Sequence, residues 1–369
     1  MTTPVILPDT PAAPGIASPD AGTPDWESHC RIGLPRNCSF QPSDWQVLSR
    51  CWFPVARGDA VADKPVRARL LDLDLVVYRT NGIARVARDL CSHRGAALSL
   101  GWVEGDTIIC PYHGFRYGSD GACRGVPAHP DLPISPRLRI AAFPTVERFG
   151  LIWTTLNGDD TPLLPDFSAW DDPDFQPILA PTIDIEASAG RQMEGFLDVA
   201  HFAWAHTQSF GDRNNPFVPS YKVMRTPRGI RADYLSTVSN YPRGLQHLAP
   251  PDFQWLRVFE VFPPFCARLI VHFPDGGRLW ILNAAAPVAA RKTRLFCPLA
   301  RNFDKDGPVE AVHAFNLQIF NEDKVIVESQ KPEDLPLDIQ MEAHIAADRT
   351  SIAYRKLLKE MGLGQLYVS

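Results

Sequence analysis

The sequence predicts an α+β protein in two parts: an all-β unit near the N-terminus, then an antiparallel sheet flanked by helices. Three observations carry this. Between residues 45 and 156 the chain is a series of short, often alternating apolar stretches separated by Asn-Gly, Glu-Gly-Asp and Asp-Gly turns, the pattern of a small antiparallel unit. Beyond residue 157, strand-like runs are bracketed by helical ones without regular βαβ alternation. The 369 residues suffice for two domains with ample cores.

In chain order, residues 1–44 hold many prolines and few large apolar side chains (TTPVILPDTPAAPGIASPDAGTPDW), which predicts an extended arm outside any core. Order resumes at Trp45 and Trp52. The first domain, residues 45–156, holds the strand texts RARLLDLDLVVYRT, GIARVARDL, DTIICPYH, FRYGSDGACR and ERFGLIWTTL. A Pro/Asp-rich connection over 157–178 opens the second domain, residues 157–369. Within it, 190–206 reads as helix, 217–300 as strands (WLRVFEVF, CARLIVHF, RLWILNAAA), 309–329 as a long helix and 338–361 as a last one.

Composition narrows the function. A net charge of −5 argues against a general nucleic-acid binder, which carries a basic excess. No apolar run approaches the roughly eighteen residues that cross a bilayer, and the N-terminus lacks an export signal, so a cytoplasmic protein is expected. Cys30, Cys38, Cys51, Cys123, Cys266 and Cys297 read as free thiols of a reducing compartment.

The remaining two cysteines sit beside histidines: Cys91-x-His93, sixteen residues, then Cys110-x2-His113. Two thiolates and two imidazoles can hold structural zinc. Zinc motifs, however, group like ligands, whereas here each half contributes one cysteine and one histidine. Mixed pairing lets two cysteines hold one iron and two histidines another, as in a Rieske [2Fe–2S] centre. Gly95, Pro111 and Gly114 supply tight turns that bring backbone amides toward cluster sulfurs.

Cys91-Ser-His93-Arg-Gly and Cys110-Pro-Tyr-His113-Gly-Phe resemble the signature C-x-H-R-G … C-P-Y-H-G-[WF] of the Rieske non-haem iron oxygenases. Ala96 and Tyr112 stand where respiratory Rieske proteins carry a disulfide, a departure that resembles the oxygenase and ferredoxin branch. The resemblance implies an all-β Rieske domain followed by an α+β helix-grip catalytic domain with an antiparallel sheet.

A second constellation lies in GRQMEGFLDVAHFAWAHTQSFGD: Asp198-x2-His201-x4-His206, with Glu194 four residues ahead. On a helix, Asp198 and His201 share a face. His206 is rotated away unless the helix ends, kinks or bulges. Two histidines and one carboxylate on one face of Fe(II) leave positions for O2 and substrate. The family pattern D-x2-H-x4-H makes His201 and His206 the implied ligands, completed by a carboxylate on the long helix. FNLQIFNEDKVIVESQ offers Glu322, Asp323 and Glu328; the resemblance selects Asp323, with Glu322 as runner-up. It also implies that Asp198 bridges His201 to His113 of a neighbouring chain in a head-to-tail homotrimer. Glu194 is a candidate for supporting the metal ligands indirectly.

The implied protein is the terminal oxygenase component of a Rieske system, with one [2Fe–2S] cluster and one mononuclear Fe(II) per chain. Electrons from NAD(P)H would arrive through a separate ferredoxin or flavin reductase, since no G-x-G-x-x-G fingerprint is present. LDVAHFAWAH, PFVP and FNEDKVIVESQKPEDLP resemble the short oxygenases that remove N- or O-methyl groups from aromatic or heterocyclic molecules, such as caffeine N-demethylases and dicamba O-demethylase. The alternatives are a cis-dihydroxylating ring dioxygenase and, in another class, a Rieske electron carrier without catalysis.

Overall fold

The computed structural model describes residues 32–364. Most of the arm, with Cys30, therefore lies outside the described residues. Its remainder departs from expectation by joining the core. Ile32 exchanges hydrogen bonds with the Asn157 side chain (3.1 and 3.0 Å), Phe40 is buried, and a helix, α1 (Pro42–Leu48), buries Trp45 and Leu48. Proline suits the first helical position, where the backbone N–H has no intrahelical partner.

The first domain is all β, in three small sheets. Strands β1 (Phe53–Arg57), β2 (Val66–Leu70), β3 (Leu73–Thr80), β4 (Ile83–Arg88), β5 (Trp102–Glu104), β6 (Thr107–Ile109), β7 (Arg116–Tyr117), β8 (Cys123–Gly125), β9 (Ala142–Phe143), β10 (Thr145–Arg148) and β11 (Leu151–Thr154) follow one another. They pair antiparallel as β2-β3-β4-β9, β5-β6-β7-β8 and β1-β11-β10. The β3–β4 hairpin closes through Asn81 and Gly82, both at positive φ (51° and 77°), the conformation that suits the strands' twist. The β2–β3 hairpin uses Leu71 and Asp72 in the same region (φ 50° and 64°), although a left-handed non-glycine residue costs roughly 1–2 kcal/mol. Contacts across the domain boundary offset that strain. Leu71 and Asp72 N–H groups donate to Pro287 and Val288 carbonyls (2.8 and 3.0 Å), and Trp45 Nε1 donates to Leu71 O (3.0 Å).

The second domain is a nine-stranded antiparallel sheet with helices against it, as the α+β reading expects. Its strands are β12 (Gln176–Leu179), β13 (Ile183–Ile185), β14 (Lys222–Thr226), β15 (Gly229–Ser236), β16 (Trp255–Phe262), β17 (Cys266–His272), β18 (Arg278–Ala289), β19 (Lys292–Phe296) and β20 (Pro298–Arg301). The order is β12-β20-β18-β17-β16-β15-β14, with β19 and β13 branching from β18. The helices are α2 (Ala189–Leu197), α3 (Phe202–Ala205), α4 (Val309–Ser329) and α5 (Arg349–Glu360).

Alternation along the strands separates two faces. Phe259, paired in register with Leu269 and through it with Ile281, meets Phe196 of α2 at 6.0 Å, so this face looks toward the helices. The opposite face takes up the connection: Phe167 packs on Trp280 (6.0 Å), and Arg268 donates to Asp166 (2.6 Å). The predicted helix at 309–329 is α4. The one expected over 338–361 is shorter, because Glu342 leaves helical register to meet Arg191 and Arg355 before α5 starts. Among the described residues, no helix is long and apolar enough to cross a membrane.

Candidate functional site

The two cysteine–histidine loops have one design. In each, a glycine at positive φ (Gly95, 72°; Gly114, 69°) donates its N–H to the carbonyl of the cysteine four residues earlier (2.9 and 3.0 Å). Each cysteine N–H then donates to the residue after that glycine, Ala96 or Phe115. Only glycine enters this left-handed turn without penalty. Cys91 and Cys110 are buried, while His93 and His113 are exposed, their rings 4.6 Å apart. His93 also stacks on Phe115 at 4.7 Å.

This donor set fits a two-iron cluster better than one zinc ion. A tetrahedral ion draws four donors to within about 3.3–3.8 Å of one another. Among the described residues, the one group of three or more ligating side chains whose atoms all lie within 4.8 Å of each other is a different one. Burial pushes the Cys110 thiol up, and the adjoining Cys91 adds to it, so a bound cation is what would keep Cys110 deprotonated. The Tyr117 hydroxyl lies 3.1 Å from Cys91 Sγ and 2.9 Å from Ser92 Oγ.

That other group is His201, His206 and Asp323. Helix α2 stops at Leu197, before the histidines. Asp198 turns extended (ψ 138°) and accepts the Ala200 N–H on Oδ1 at 2.6 Å. His201 then begins α3, a single turn, and His206 ends it. Asp198 and His201 thus share no helix face as the spacing suggests; the break lies before His201 instead. It lets both Nε2 atoms converge, 3.0 Å apart, with Asp323 Oδ1 at 3.4 Å from His201 Nε2 and 3.2 Å from His206 Nε2. Donors at about 2.1 Å from one ion stand about 3.0 Å apart at right angles and about 3.4 Å apart at tetrahedral angles. The residues fit a single metal ion.

Electrostatics agree. Burial opposes a charge on His201, but Asp198 and Asp323 outweigh it and push its pKa up to about 10. Burial, helped by the neighbouring His201, keeps His206 below its ordinary value although Asp323 and Glu322 pull it up. Asp198 Oδ2 stands 3.8 Å from His201 Nδ1, an ion-pair separation too long for a hydrogen bond. Glu194 does not touch a histidine. Its carboxylate is taken by Arg355 (2.6 and 2.8 Å), within a group that includes the buried Arg191 and the half-buried Glu342 and ties α2 to α5.

The surroundings of three further residues are set by the fold. Glu322, the runner-up ligand, accepts His206 Nδ1–H at 2.8 Å. Arg257, fully buried, pairs with no carboxylate among the described residues. It donates to Asn240 Oδ1 (2.9 Å), Val238 O (2.9 Å) and Ser236 Oγ (3.2 Å), with Phe202 under its guanidinium, and burial pulls its pKa down to about 10. Asn283, also fully buried, leaves both amide atoms without a protein partner. It follows Ile281 by two residues and so faces the helices. The Glu322 and Arg257 contacts depend on partners distant in sequence, and the burial of Asn283 depends on how the sheet packs, so no local motif marks them.

Comparison with known proteins adds two family matches: Rieske [2Fe-2S] domain over residues 51–143, and Vanillate O-demethylase oxygenase C-terminal domain over residues 185–363. The chain is 35% identical to methylxanthine N1-demethylase NdmA of Pseudomonas putida over 326 residues, covering 86% of this chain and 90% of the relative. The structure of Pseudomonas putida NdmA with caffeine superposes with a TM-score of 0.77 at 33% identity, covering 86% and 92% of the two chains. Dicamba monooxygenase bound to dicamba shares the fold (TM-score 0.74, 21% identity, 85% and 97% covered). A shorter stretch of 108 residues, 28% of this chain and 18% of the relative, is 39% identical to oxidoreductase NdmD of Pseudomonas putida.

Proposed function

The chain belongs to the Rieske non-haem iron oxygenases, in the demethylase and monooxygenase branch, and from that membership we propose how its residues divide the work. It is an oxygenase component with a [2Fe–2S] cluster and a mononuclear iron, supplied with electrons by a separate reductase. In our reading, Cys91 and Cys110 hold one cluster iron and His93 and His113 the other. His201, His206 and Asp323 hold the mononuclear ion. The convergence of these last three side chains, from two distant segments, is the observation that carries the proposal.

Bound iron supplies the activation of O2 for insertion of one oxygen atom into a substrate C–H bond. The protein does the rest. The carboxylate of Asp323 would provide the negatively charged ligand, and the ring of Phe210 (4.7 Å from His206) and that of Phe202 (4.9 Å from His201) pack against the histidines and limit their contact with water. Asn283 offers one donor and one acceptor to a substrate's polar edge, while Phe259 and Ile281 on the same sheet face favour a flat apolar body.

We assign a methylated aromatic or heterocyclic substrate and demethylation as the outcome, supported by the identity to a methylxanthine demethylase. Hydroxylating the methyl group gives a carbinol that collapses to formaldehyde. One O2 and one NAD(P)H with a proton thus convert R–CH3 to R–H, formaldehyde and water. The cluster loop exposes Leu100, Trp102 and Tyr112, and the catalytic side exposes Trp204, Val325 and Ile326. These apolar sets suit a head-to-tail homotrimer in which His113 of one chain reaches Asp198 of the next. The unpaired described cysteines suit a reducing, cytoplasmic setting.

The test is turnover with a reductase and a panel of N- and O-methylated aromatic compounds. Formaldehyde should appear in step with NADH and O2 consumed. Product retaining its methyl group and gaining two hydroxyls would overturn the demethylase assignment. Two irons per chain, where about three are expected, would leave only an electron carrier.

A further inference from the structure

Consecutive carboxylates on α4 address opposite edges of one imidazole. Asp323 Oδ1 lies 3.2 Å from His206 Nε2, and Glu322 Oε2 lies 2.8 Å from His206 Nδ1. Neighbouring helical residues project about 100° apart, so the ring is held in the angle between them. The same Glu322 oxygen accepts the Ser209 hydroxyl at 2.7 Å, while Gln318 Nε2 reaches Oε1 at 3.4 Å. Ser209 in turn donates its backbone N–H to the His206 carbonyl at 3.1 Å. Glu322 therefore fastens both the ring and the turn that carries it, and its side chain is mostly buried.

We propose that Glu322 is a positioning residue of the mononuclear metal site, an inference resting on His206 being a ligand. As acceptor for Nδ1–H it selects the tautomer whose Nε2 lone pair faces the metal, fixes the ring plane, and makes the imidazole a stronger donor. It binds no metal itself. The adjacent acids thus divide the labour: Asp323 supplies a ligand atom and Glu322 orients one.

The test compares Glu322→Ala, Glu322→Gln and Ser209→Ala with His206→Ala and Asp323→Ala in the full-length, cluster-containing protein. The readouts are the Fe(II) dissociation constant under anaerobic chelator competition and the visible spectrum of Co(II) in the same site. Glu322→Ala should weaken Fe(II) binding 10–100-fold and alter the Co(II) bands. Glu322→Gln, which keeps an acceptor oxygen without the charge, should recover part of the loss, and Ser209→Ala should fall nearer wild type. Cluster absorption should be unchanged throughout. Wild-type affinity and spectrum in Glu322→Ala, with iron lost in His206→Ala and Asp323→Ala, would overturn the proposal alone. If Glu322→Ala does not fold, wild-type behaviour of Glu322→Gln and Ser209→Ala together would overturn it. Iron retained in His206→Ala and Asp323→Ala would instead refute the ligand assignment beneath it.

Discussion

Iron binding at the mononuclear site should be coupled to loss of one proton, and the structure sets both the number and the sign. In the metal-free protein, Asp198 and Asp323 overcome burial and hold His201 protonated up to about pH 10. His206 is pushed the other way and is neutral above its ordinary value of 6.5. A metal ion needs both Nε2 lone pairs. Between pH 7 and 8.5, one proton therefore leaves as one ion binds. Affinity should rise tenfold per pH unit, about 30-fold or roughly 2 kcal/mol over that interval. Linkage has the opposite sign for the metal-free fold. Because His201's pKa is raised, its proton stabilises the fold fully below about 6.5, and that contribution fades as pH rises through about 10.

The assay is anaerobic titration of Fe(II) into protein whose cluster is intact and whose mononuclear iron has been removed by a chelator. Calorimetry in buffers of different ionisation enthalpy counts the protons. Asp198→Asn removes one of the two carboxylates that raise His201, so its affinity curve should level off at a lower pH. A slope near zero would mean that His201 is neutral in the free site. A slope near two would mean that both histidines are charged. Either result refutes the electrostatic reasoning.

Asp198→Ala should leave both metal sites largely filled yet stop product formation with reductase, measured as formaldehyde; continued turnover would remove Asp198 from any route between subunits. Tyr117→Phe deletes a hydroxyl 3.1 Å from Cys91 Sγ, a contact that favours the more negative, reduced cluster. The cluster's midpoint potential should fall by about 60 mV if that contact contributes about 1.4 kcal/mol, and an unchanged potential in protein-film voltammetry would refute it. Asn283→Leu removes a buried amide that the protein leaves unsatisfied at a cost of about 1–3 kcal/mol. Thermal stability should hold or rise while KM climbs; an unchanged KM would mark Asn283 as structural only.

What the sequence could disclose follows the range of each interaction. Strand alternation, the Asn81-Gly82 hairpin and the Cys/His loops are local, and each is legible in the sequence. The turn at Leu71 and Asp72 is not. Leucine at positive φ is unfavourable alone and is held by Pro287 and Val288 from the other domain. The helix expected over 190–206 stops short for a different, local reason. Its apolar spacing continues past residue 197, but Asp198 accepts a local N–H and ends the helix. Asp323 was reachable only through family resemblance, because nothing near it in sequence marks it as a ligand. The partner of Glu194 is not legible in the sequence, since Arg355 comes from the last helix.

That last pairing bears on how the site is held together. The histidines come from the segment after α2, and the carboxylate from α4. No covalent proximity brings them together, so their alignment is set by how the helices pack. Glu194, Arg355 and Arg191 are buried at the α2–α5 junction, where the half-buried Glu342 joins them. Removing Glu194 leaves buried arginine charge uncompensated, at a cost of about 3–5 kcal/mol. The Glu322 contacts tie α4 to the turn after α3. Ion pairs at α2 and carboxylate hydrogen bonds from α4 thus clamp the segment bearing His201 and His206, while the ligands themselves lie at a helix break. A broken helix is free to aim its side chains, and the clamps restore the rigidity that the break removes. Metal affinity should consequently report on packing at the α2–α5 junction, even though no atom of that junction is proposed to touch the ion.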